Sequence, residues 1–185
     1  LYYLSYFEYF TIISLLAFVD KKVNLVIFET GLGGLWDATN AIEPPMLTVF
    51  TKISIDHQNL LGHNIAEIAE NKAAIIKPGT WVIDYPGQDI EAKKVLKART
   101  EKVGARWFEH KRDEIIIANT SPSGLDLIIN GKSGYFLSMA GAFQVHNFSI
   151  VLKTKAALIE KGYQFDTEKT RNGIANVKML GRMNY

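Results

Sequence analysis

Polar side chains that can bind a metal ion follow two of the apolar runs in this sequence. Glu29 ends the run Val23–Phe28, and three closely spaced glycines come just after it. His57 and its neighbour Asp56 follow a second apolar run, residues 46–55. Carboxylate oxygens and neutral imidazole nitrogens are both metal ligands. The pattern therefore makes Glu29 and His57 candidate ligands of a divalent metal ion.

A lysine lies on the apolar face of a predicted helix that begins at Ile65. Ile68, Ala69 and Ile76 recur at helical spacing along that face. Lys72 falls inside the same stripe. A lysine in such a position must extend its ammonium group to solvent, pair with an acid or lose its charge. The spacing alone favours extension to solvent, and a functional lysine is the alternative.

The elements that must position these residues indicate an α/β fold. The run Val23–Phe28 is short and nearly continuous, which is typical of a strand buried on both faces. Open α/β sheets bind ligands at the carboxyl ends of their strands, where Glu29 would then lie. The alternative interpretation is a tight glycine turn beside a solvated glutamate.

The remaining patterns complete a mainly parallel sheet flanked by helices. The sequence predicts an N-terminal helix with a broad buried face and strands over residues 46–55 and 80–84. The helix that begins at Ile65 is capped by Asn64. Further helices are predicted over residues 90–103 and 148–161, and a last helix begins at Asp166. Three short β-like runs lie between about Ala105 and Met139, and Asn130-Gly131 between two of them is a hairpin signal. We therefore expect a small antiparallel β region there.

Composition and motif searches exclude several functional classes. The 185 residues carry a net charge of +2, which gives no reason to expect nucleic acid or an anionic membrane as partner. The chain contains no cysteine, so it has no disulfide framework and no thiolate chemistry. Trp36 stands where a dinucleotide fingerprint needs its third glycine, and no G-x-x-x-x-G-K-[ST] phosphate loop occurs. The apolar N-terminus lacks the basic start and cleavage site of a signal peptide.

The stretch ETGLGGLWDATN, residues 29–40, resembles the E-x-G-L-G-G-R-x-D-A-T-N signature of the folylpolyglutamate synthase and dihydrofolate synthase family, within the Mur ligase superfamily. Further matches at residues 54–57, 70–77, 144–147 and 181–183 extend the resemblance over essentially the whole chain. One departure is Leu35, which stands where many members carry arginine. No substrate or phosphate contact is therefore assigned to that side chain.

The resemblance implies roles for individual residues. Glu29 and His57 would bind Mg²⁺ beside the phosphates of ATP, and Lys72, if carbamylated, would become an anion that binds a second Mg²⁺. Gln144 and Asn147 would contact the nucleotide, since amides suit the edge of an adenine ring, although Asn147 could instead cap a helix. Arg182 would meet ATP phosphates, to which its planar charged fork is suited.

The resemblance also implies a domain organisation and an activity. Residues 1–182 would form the central ATP-binding domain without its N-terminal P-loop segment, and residues 183–185 would begin a linker to a C-terminal domain. The parent protein would use ATP to join L-glutamate to folate or dihydropteroate through an acyl phosphate. We expect a cytoplasmic monomer with small-molecule substrates and neither nucleic acid nor membrane as partner, and a fragment that is inactive by itself.

Three alternatives remain at this point. A Mur-type peptidoglycan ligase shares the chemistry and the fold, but the GLGG-x-x-DATN pattern disfavours it. A cyanophycin-type amino-acid ligase is a more remote member of the same superfamily. The third alternative is a domain without catalytic activity that binds a nucleotide or nothing at all. Leu35 and the absence of a P-loop keep this third possibility open for the chain as given.

Overall fold

The computed structural model describes residues 3–42, 44–110 and 113–177. The helices in these residues are α1 (Tyr6–Asp20), α2 (Gln58–Leu61), α3 (Ile65–Ala73), α4 (Ile90–Lys102), α5 (Gln144–Glu160) and α6 (Thr167–Ala175), and a 3₁₀ helix spans Ala38–Ala41. The strands are β1 (Leu47–Val49), β2 (Trp81–Ile83), β3 (Arg106–Trp107), β4 (Ile115–Ser121), β5 (Gly124–Ile129) and β6 (Lys132–Leu137).

The strands form two sheets. One is a parallel sheet in the order β1-β2-β3, and the other is an antiparallel sheet in the order β4-β5-β6. This arrangement confirms the predicted α/β class with its small antiparallel region. The chain divides into two compact units, one within residues 1–48, 53–80 and 89–106 and the other within 49–52, 81–88 and 107–185. In the described part of the chain, none of the helices combines the length and hydrophobicity needed to cross a bilayer.

Helix α1 forms where it was predicted, but its predicted buried face is wrong. Ser5 and Glu8 make a reciprocal capping box that fixes the start of the helix, and the Ser5 side chain and then its backbone N–H hold the pKa of Glu8 below the ordinary value of 4.5. Thr11 is the one side chain of α1 that is buried, whereas Tyr6 and Leu16 are largely exposed. The helix is apolar around its whole circumference, so its sequence does not single out a face for burial.

The predicted buried strand Val23–Phe28 is also wrong. The segment has no regular secondary structure, and Ile27 is 90% exposed. A strand needs a neighbour to satisfy its backbone N–H and C=O groups, and no described strand pairs with this segment. The second predicted strand, over residues 46–55, is shortened to Leu47–Val49 (β1), although Phe50 and Ile53 beyond it are buried.

The local signals of α3, α4 and the antiparallel sheet are confirmed. The Asn64 side chain accepts a hydrogen bond from Glu67 N–H at 2.9 Å and so caps α3. The helix ends at Ala73, earlier than predicted, so Ile76 is buried but lies beyond the helix. Helix α4 and strand β2 form within one residue or so of their predicted bounds. Asn130 and Gly131 both have positive φ angles, as a tight hairpin turn between β5 and β6 requires.

The core of the second unit lies between the antiparallel sheet and the last helices. Its buried members come from β5, β6, α5 and α6 and are Leu125, Leu127, Ile129, Leu137, Phe148 and Ile174. Alternate residues of β5 are buried, as expected of a strand with one face on a core. The last two helices begin at Gln144 and Thr167, so α5 starts four residues earlier than predicted, and Asp166 caps α6 as predicted.

We expect Ile129→Val to lower the free energy of unfolding by about 1 kcal/mol, because Ile129 is buried and the lost methylene leaves unfilled space. Ile116→Val is the matched control, since Ile116 lies in the neighbouring strand of the same sheet and is exposed. Thermal or urea unfolding of the parent protein and of both variants measures the change in the free energy of unfolding. Equal destabilisation by both changes would contradict this placement of the core.

Candidate functional site

The glycine loop, which we define as residues 31–35, lies against the C-terminal half of α3. A Cβ atom added to Gly34 would lie 2.9 Å from the backbone carbonyl oxygens of Asn71 and Lys72. Gly33 has φ +67°, and a Cβ atom there would overlap the side chains of Asn71 and Leu61. Leu35 N–H donates to Asn71 Oδ1 at 3.4 Å. The motif needs glycine at these positions because its backbone approaches the helix closely.

The carboxylate of Asp37 organises the segment that follows the glycine loop. One oxygen, Oδ2, accepts a hydrogen bond from Leu32 N–H at 2.9 Å. The other, Oδ1, accepts from Thr39 N–H at 2.9 Å and from the Thr39 hydroxyl at 2.5 Å, which caps the 3₁₀ helix. The D-A-T-N part of the signature thus supports the loop. Sequence reasoning did not assign this role to Asp37, although aspartate two residues before threonine is a recognisable capping pattern.

Lys72 lies in the last turn of α3, directly beside the glycine loop. Its side chain is half-buried, as its position in the apolar stripe indicates. Its ammonium group makes no hydrogen bond or ion pair with any described residue. The backbone carbonyl of Lys72, by contrast, faces Gly34. The structure therefore brings Lys72 together with the glycine loop and leaves its Nζ atom available for another partner.

Glu29 and His57 both present accessible ligand atoms. Glu29 is exposed in the irregular segment before the glycine loop, and among the described residues it has no hydrogen-bond or ion-pair partner. His57 precedes α2 in a left-handed conformation, with φ 48° and ψ 40°. Its N–H donates to Asp56 Oδ1 at 2.8 Å, and its Nε2 atom lies 3.8 Å from Asp56 Oδ2. The hydrogen bond with Asp56 is thus made by the backbone of His57, and the imidazole ring is exposed.

Glu29 and His57 could hold a Mg²⁺ ion only as part of a sparse site. Within the part of the chain that the structure describes, no three His, Cys, Asp or Glu side chains are grouped to hold a metal ion. Mg²⁺ usually keeps several waters and is bound by one or two carboxylates together with substrate phosphates. The carboxylate of Glu29 and the imidazole of His57 are compatible with such a sparse site. A carbamate on Lys72 would add a second anionic group.

An open cleft of about 340 Å³ lies over the glycine loop in the first unit. It is lined by the start of α1, by the segment after the glycine loop, by α2 and by Asn71. The lining includes Trp36, which is 89% exposed, and Phe7. The cleft is open to solvent, and its polar lining comes from Ser5, Glu8, Asp37 and Asn71.

Gln144 and Asn147 form a hydrogen-bonded pair at the start of α5, in the second unit. The Asn147 amide donates through Nδ2 to Gln144 Oε1 at 3.0 Å. Gln144 is 3% exposed, whereas Asn147 is exposed to solvent. The N-cap of α5 is Phe143, so Asn147 does not cap this helix. The two amides therefore differ in what they can contact, a distinction that spacing in the sequence could not show. The third predicted nucleotide ligand, Arg182, lies outside the described residues.

The chain is similar to folylpolyglutamate synthases and dihydrofolate synthases. It is 35% identical to the dihydrofolate synthase/folylpolyglutamate synthase of Bacillus subtilis, over 96% of this chain and 42% of that protein. The folylpolyglutamate synthase of Mycobacterium tuberculosis, solved with ADP and AMPPCP, has 34% identity and a TM-score of 0.83 over 97% of this chain and 42% of that one. A complex of such a synthase with AMPPCP and folate gives a TM-score of 0.83 at 27% identity, over 94% and 43% of the two chains. No family model matches the chain.

These similarities extend over nearly all of this chain but over only about two fifths of each relative. The glycine loop, the D-A-T-N segment and the end of α3, which carry the most specific motifs, meet in the structure at one place. The chain belongs to the folylpolyglutamate synthase and dihydrofolate synthase family.

Proposed function

We propose that this chain is the central, ATP-binding part of a ligase that adds L-glutamate to a tetrahydrofolate, to dihydropteroate, or to both. The observation that carries this proposal is the close packing of the glycine loop on α3 beside Lys72. Gly33 and Gly34 permit an approach to α3 that a residue with a side chain would block. The family to which the chain belongs supports the choice of substrates.

The proposed reaction has two chemical steps. The substrate carboxylate attacks the γ-phosphorus of ATP, forms an acyl phosphate and releases ADP. The glutamate amine then attacks the acyl carbon, and the tetrahedral intermediate collapses to an amide with loss of phosphate. Phosphoryl transfer depends chiefly on positioning and on neutralising negative charge. The residues that we assign are accordingly ligands and positioning groups, and the leaving phosphate takes up the proton that the attacking amine loses.

Three residues would supply the metal ligands. Glu29 and His57 would hold one Mg²⁺, and a carbamylated Lys72 would hold a second. Mg²⁺ would neutralise charge on the phosphate oxygens of ATP. The exposed carboxylate of Glu29 and the exposed ring of His57 are compatible with these roles, as is the ammonium of Lys72, which has no partner among the described residues. Arg182 would contact the phosphates in the intact protein.

Asn147 would supply the nucleotide contact, and the two amides of α5 are assigned different roles. Asn147 is exposed and would contact the adenine ring. Gln144 is buried and accepts a hydrogen bond from Asn147, so it would orient the Asn147 amide without touching the nucleotide. Fixing the orientation of Asn147 selects which edge of the ring it can pair with.

We expect Asn147→Ala in the full-length protein to raise the KM for ATP about tenfold, because one hydrogen bond to the nucleotide is lost. Gln144→Leu should raise the same KM by a smaller factor, since Asn147 remains but is no longer oriented. Steady-state kinetics at varied ATP concentration measures both effects. Val151→Ala, a change at an exposed position of α5, is the control. An unchanged KM in the Asn147 variant would remove this residue from the nucleotide site.

A substrate screen tests the proposal against its nearest alternative. In one incubation the full-length protein would receive ATP, labelled glutamate and a pterin-containing acceptor, either dihydropteroate or tetrahydrofolate. In a separate incubation it would receive ATP, labelled alanine or glutamate, and a UDP-muramyl acceptor. We expect product only with a pterin-containing acceptor. Product only with the UDP-muramyl acceptor would replace the proposal with the Mur-type ligase.

A further inference from the structure

Lys77, which follows α3, donates hydrogen bonds through its ammonium group, whereas the ammonium group of Lys72 has no partner among the described residues. The Lys77 Nζ atom donates a hydrogen bond to the backbone carbonyl of Asn40 at 2.6 Å and another, short one to the carbonyl of Ile42. Lys77 is half-buried. Its ammonium group is thus occupied by two acceptors that lie 37 and 35 residues earlier in the chain.

These two carbonyls lie at the C-terminal end of the 3₁₀ helix Ala38–Ala41. The end of a helix carries unsatisfied carbonyl groups and a partial negative charge, so a cation there is stabilising. Lysine suits this position because its ammonium group has three donors on a long flexible stem and can reach two carbonyls at once.

The same 3₁₀ helix is connected to the glycine loop through one carboxylate. Asp37 caps the helix through Thr39 and also accepts the hydrogen bond of Leu32 N–H. The glycine loop itself packs at Gly34 on the backbone carbonyls of Asn71 and Lys72. Residues 31–42 are therefore attached to a single stretch, residues 71–77, at both of their ends.

We propose that Lys77 is a positioning residue that holds the glycine loop in register with Lys72. Its ammonium group fastens the end of the 3₁₀ helix to the segment after α3, and Asp37 transmits this restraint to the loop. Lys77 itself touches neither substrate nor metal, since its donors are directed to backbone carbonyls. The consequence for catalysis rests on the proposed ligase function, whereas the structural role of Lys77 does not.

Hydrogen exchange in the full-length protein tests the structural role directly. Lys77→Met keeps the length of the side chain and removes its donors, so the amides of Leu32 and Thr39 should exchange at least about tenfold faster than in the parent protein. Lys77→Arg keeps a cationic donor and should retain most of the protection. Lys94→Met is the matched control, because Lys94 is an exposed lysine of α4 in the same unit, and it should leave both amides unchanged.

Unchanged exchange at Leu32 and Thr39 in Lys77→Met would overturn the proposal. If Lys77→Met does not fold, amides of β5 and β6 will also lose protection, and Lys77→Gln, which is shorter and uncharged, then decides. Faster exchange of the loop amides alone in Lys77→Gln would support the proposal, and unchanged exchange of those amides would overturn it. These outcomes are independent of enzyme activity, so they remain informative if the proposed ligase function fails.

Kinetics then tests the catalytic consequence. Since a positioning residue acts on the geometry of the reacting groups, Lys77→Met should lower kcat for glutamate incorporation about tenfold with little change in the KM for ATP. Lys77→Arg should recover most of kcat. A rise in KM with unchanged kcat would contradict the assignment, because it would indicate loss of nucleotide binding.

Discussion

Replacing Lys72 with alanine should lower the rate of glutamate incorporation by the full-length protein by a factor of about 100 or more. Removing one preorganised group that stabilises charge in a transition state has effects of this size. Lys72 lies in the last turn of α3 beside the glycine loop, and no described residue occupies its ammonium group. The side chain is therefore available for carbamylation and for binding Mg²⁺ near the phosphates of ATP.

A matched control and an independent readout separate this role from a structural one. Lys94→Ala changes an exposed lysine of the neighbouring helix and should leave the rate unchanged. Mass spectrometry under non-denaturing conditions should detect one added CO₂ unit in the parent protein that is absent from the Lys72 variant. A Lys72→Ala enzyme with the full ligase rate would refute the assignment.

Gly34→Ala should lower the same rate by a factor of about 100, because displacing a reacting group by as little as 1 Å can have that effect. The added methyl group would lie 2.9 Å from the carbonyl oxygens of Asn71 and Lys72. Both atoms belong to the backbone of α3, so neither can move aside as a flexible side chain would. The glycine loop must therefore shift away from the helix, at a cost of about 1–3 kcal/mol in stability.

Gly173→Ala provides the control for this change. Gly173 lies in α6 and is exposed, and among the described residues no atom outside the helix backbone lies within 4 Å of an added Cβ. Alanine should therefore stabilise α6 by about 0.5–1 kcal/mol and leave the ligase rate unchanged. Thermal unfolding and the incorporation assay measure the two variants side by side. A Gly34→Ala protein with normal stability and rate would show that the loop does not depend on its close approach to α3.

Elements whose signals are local could be predicted from the sequence. The cap of α3 depends on Asn64 and Glu67, which lie three residues apart, and both side chains take part in hydrogen bonds at the start of the helix. The hairpin between β5 and β6 depends on Asn130-Gly131, whose positive φ angles are set within two residues. Such features need no knowledge of the rest of the fold.

Features that depend on distant partners could not be predicted. The apolar run Val23–Phe28 indicates a preference for burial but does not specify the neighbour that would provide it, and the described residues contain no strand paired with it. Spacing likewise placed Lys72 on an apolar face but could not show that Lys77 binds carbonyls more than 30 residues earlier. The different burial of Gln144 and Asn147 also arises from packing of α5, which a pattern of residue types does not encode.

The central claim is that this chain belongs to an enzyme that uses ATP to add glutamate to a pterin-containing acid. Incorporation of labelled L-glutamate by the full-length protein, with dihydropteroate and tetrahydrofolate offered separately, tests it most directly. We predict incorporation that requires both ATP and Mg²⁺ with at least one of the two acceptors, and the preferred acceptor will show which synthase activity dominates. No incorporation with either acceptor, from a folded protein that binds ATP, would contradict the claim.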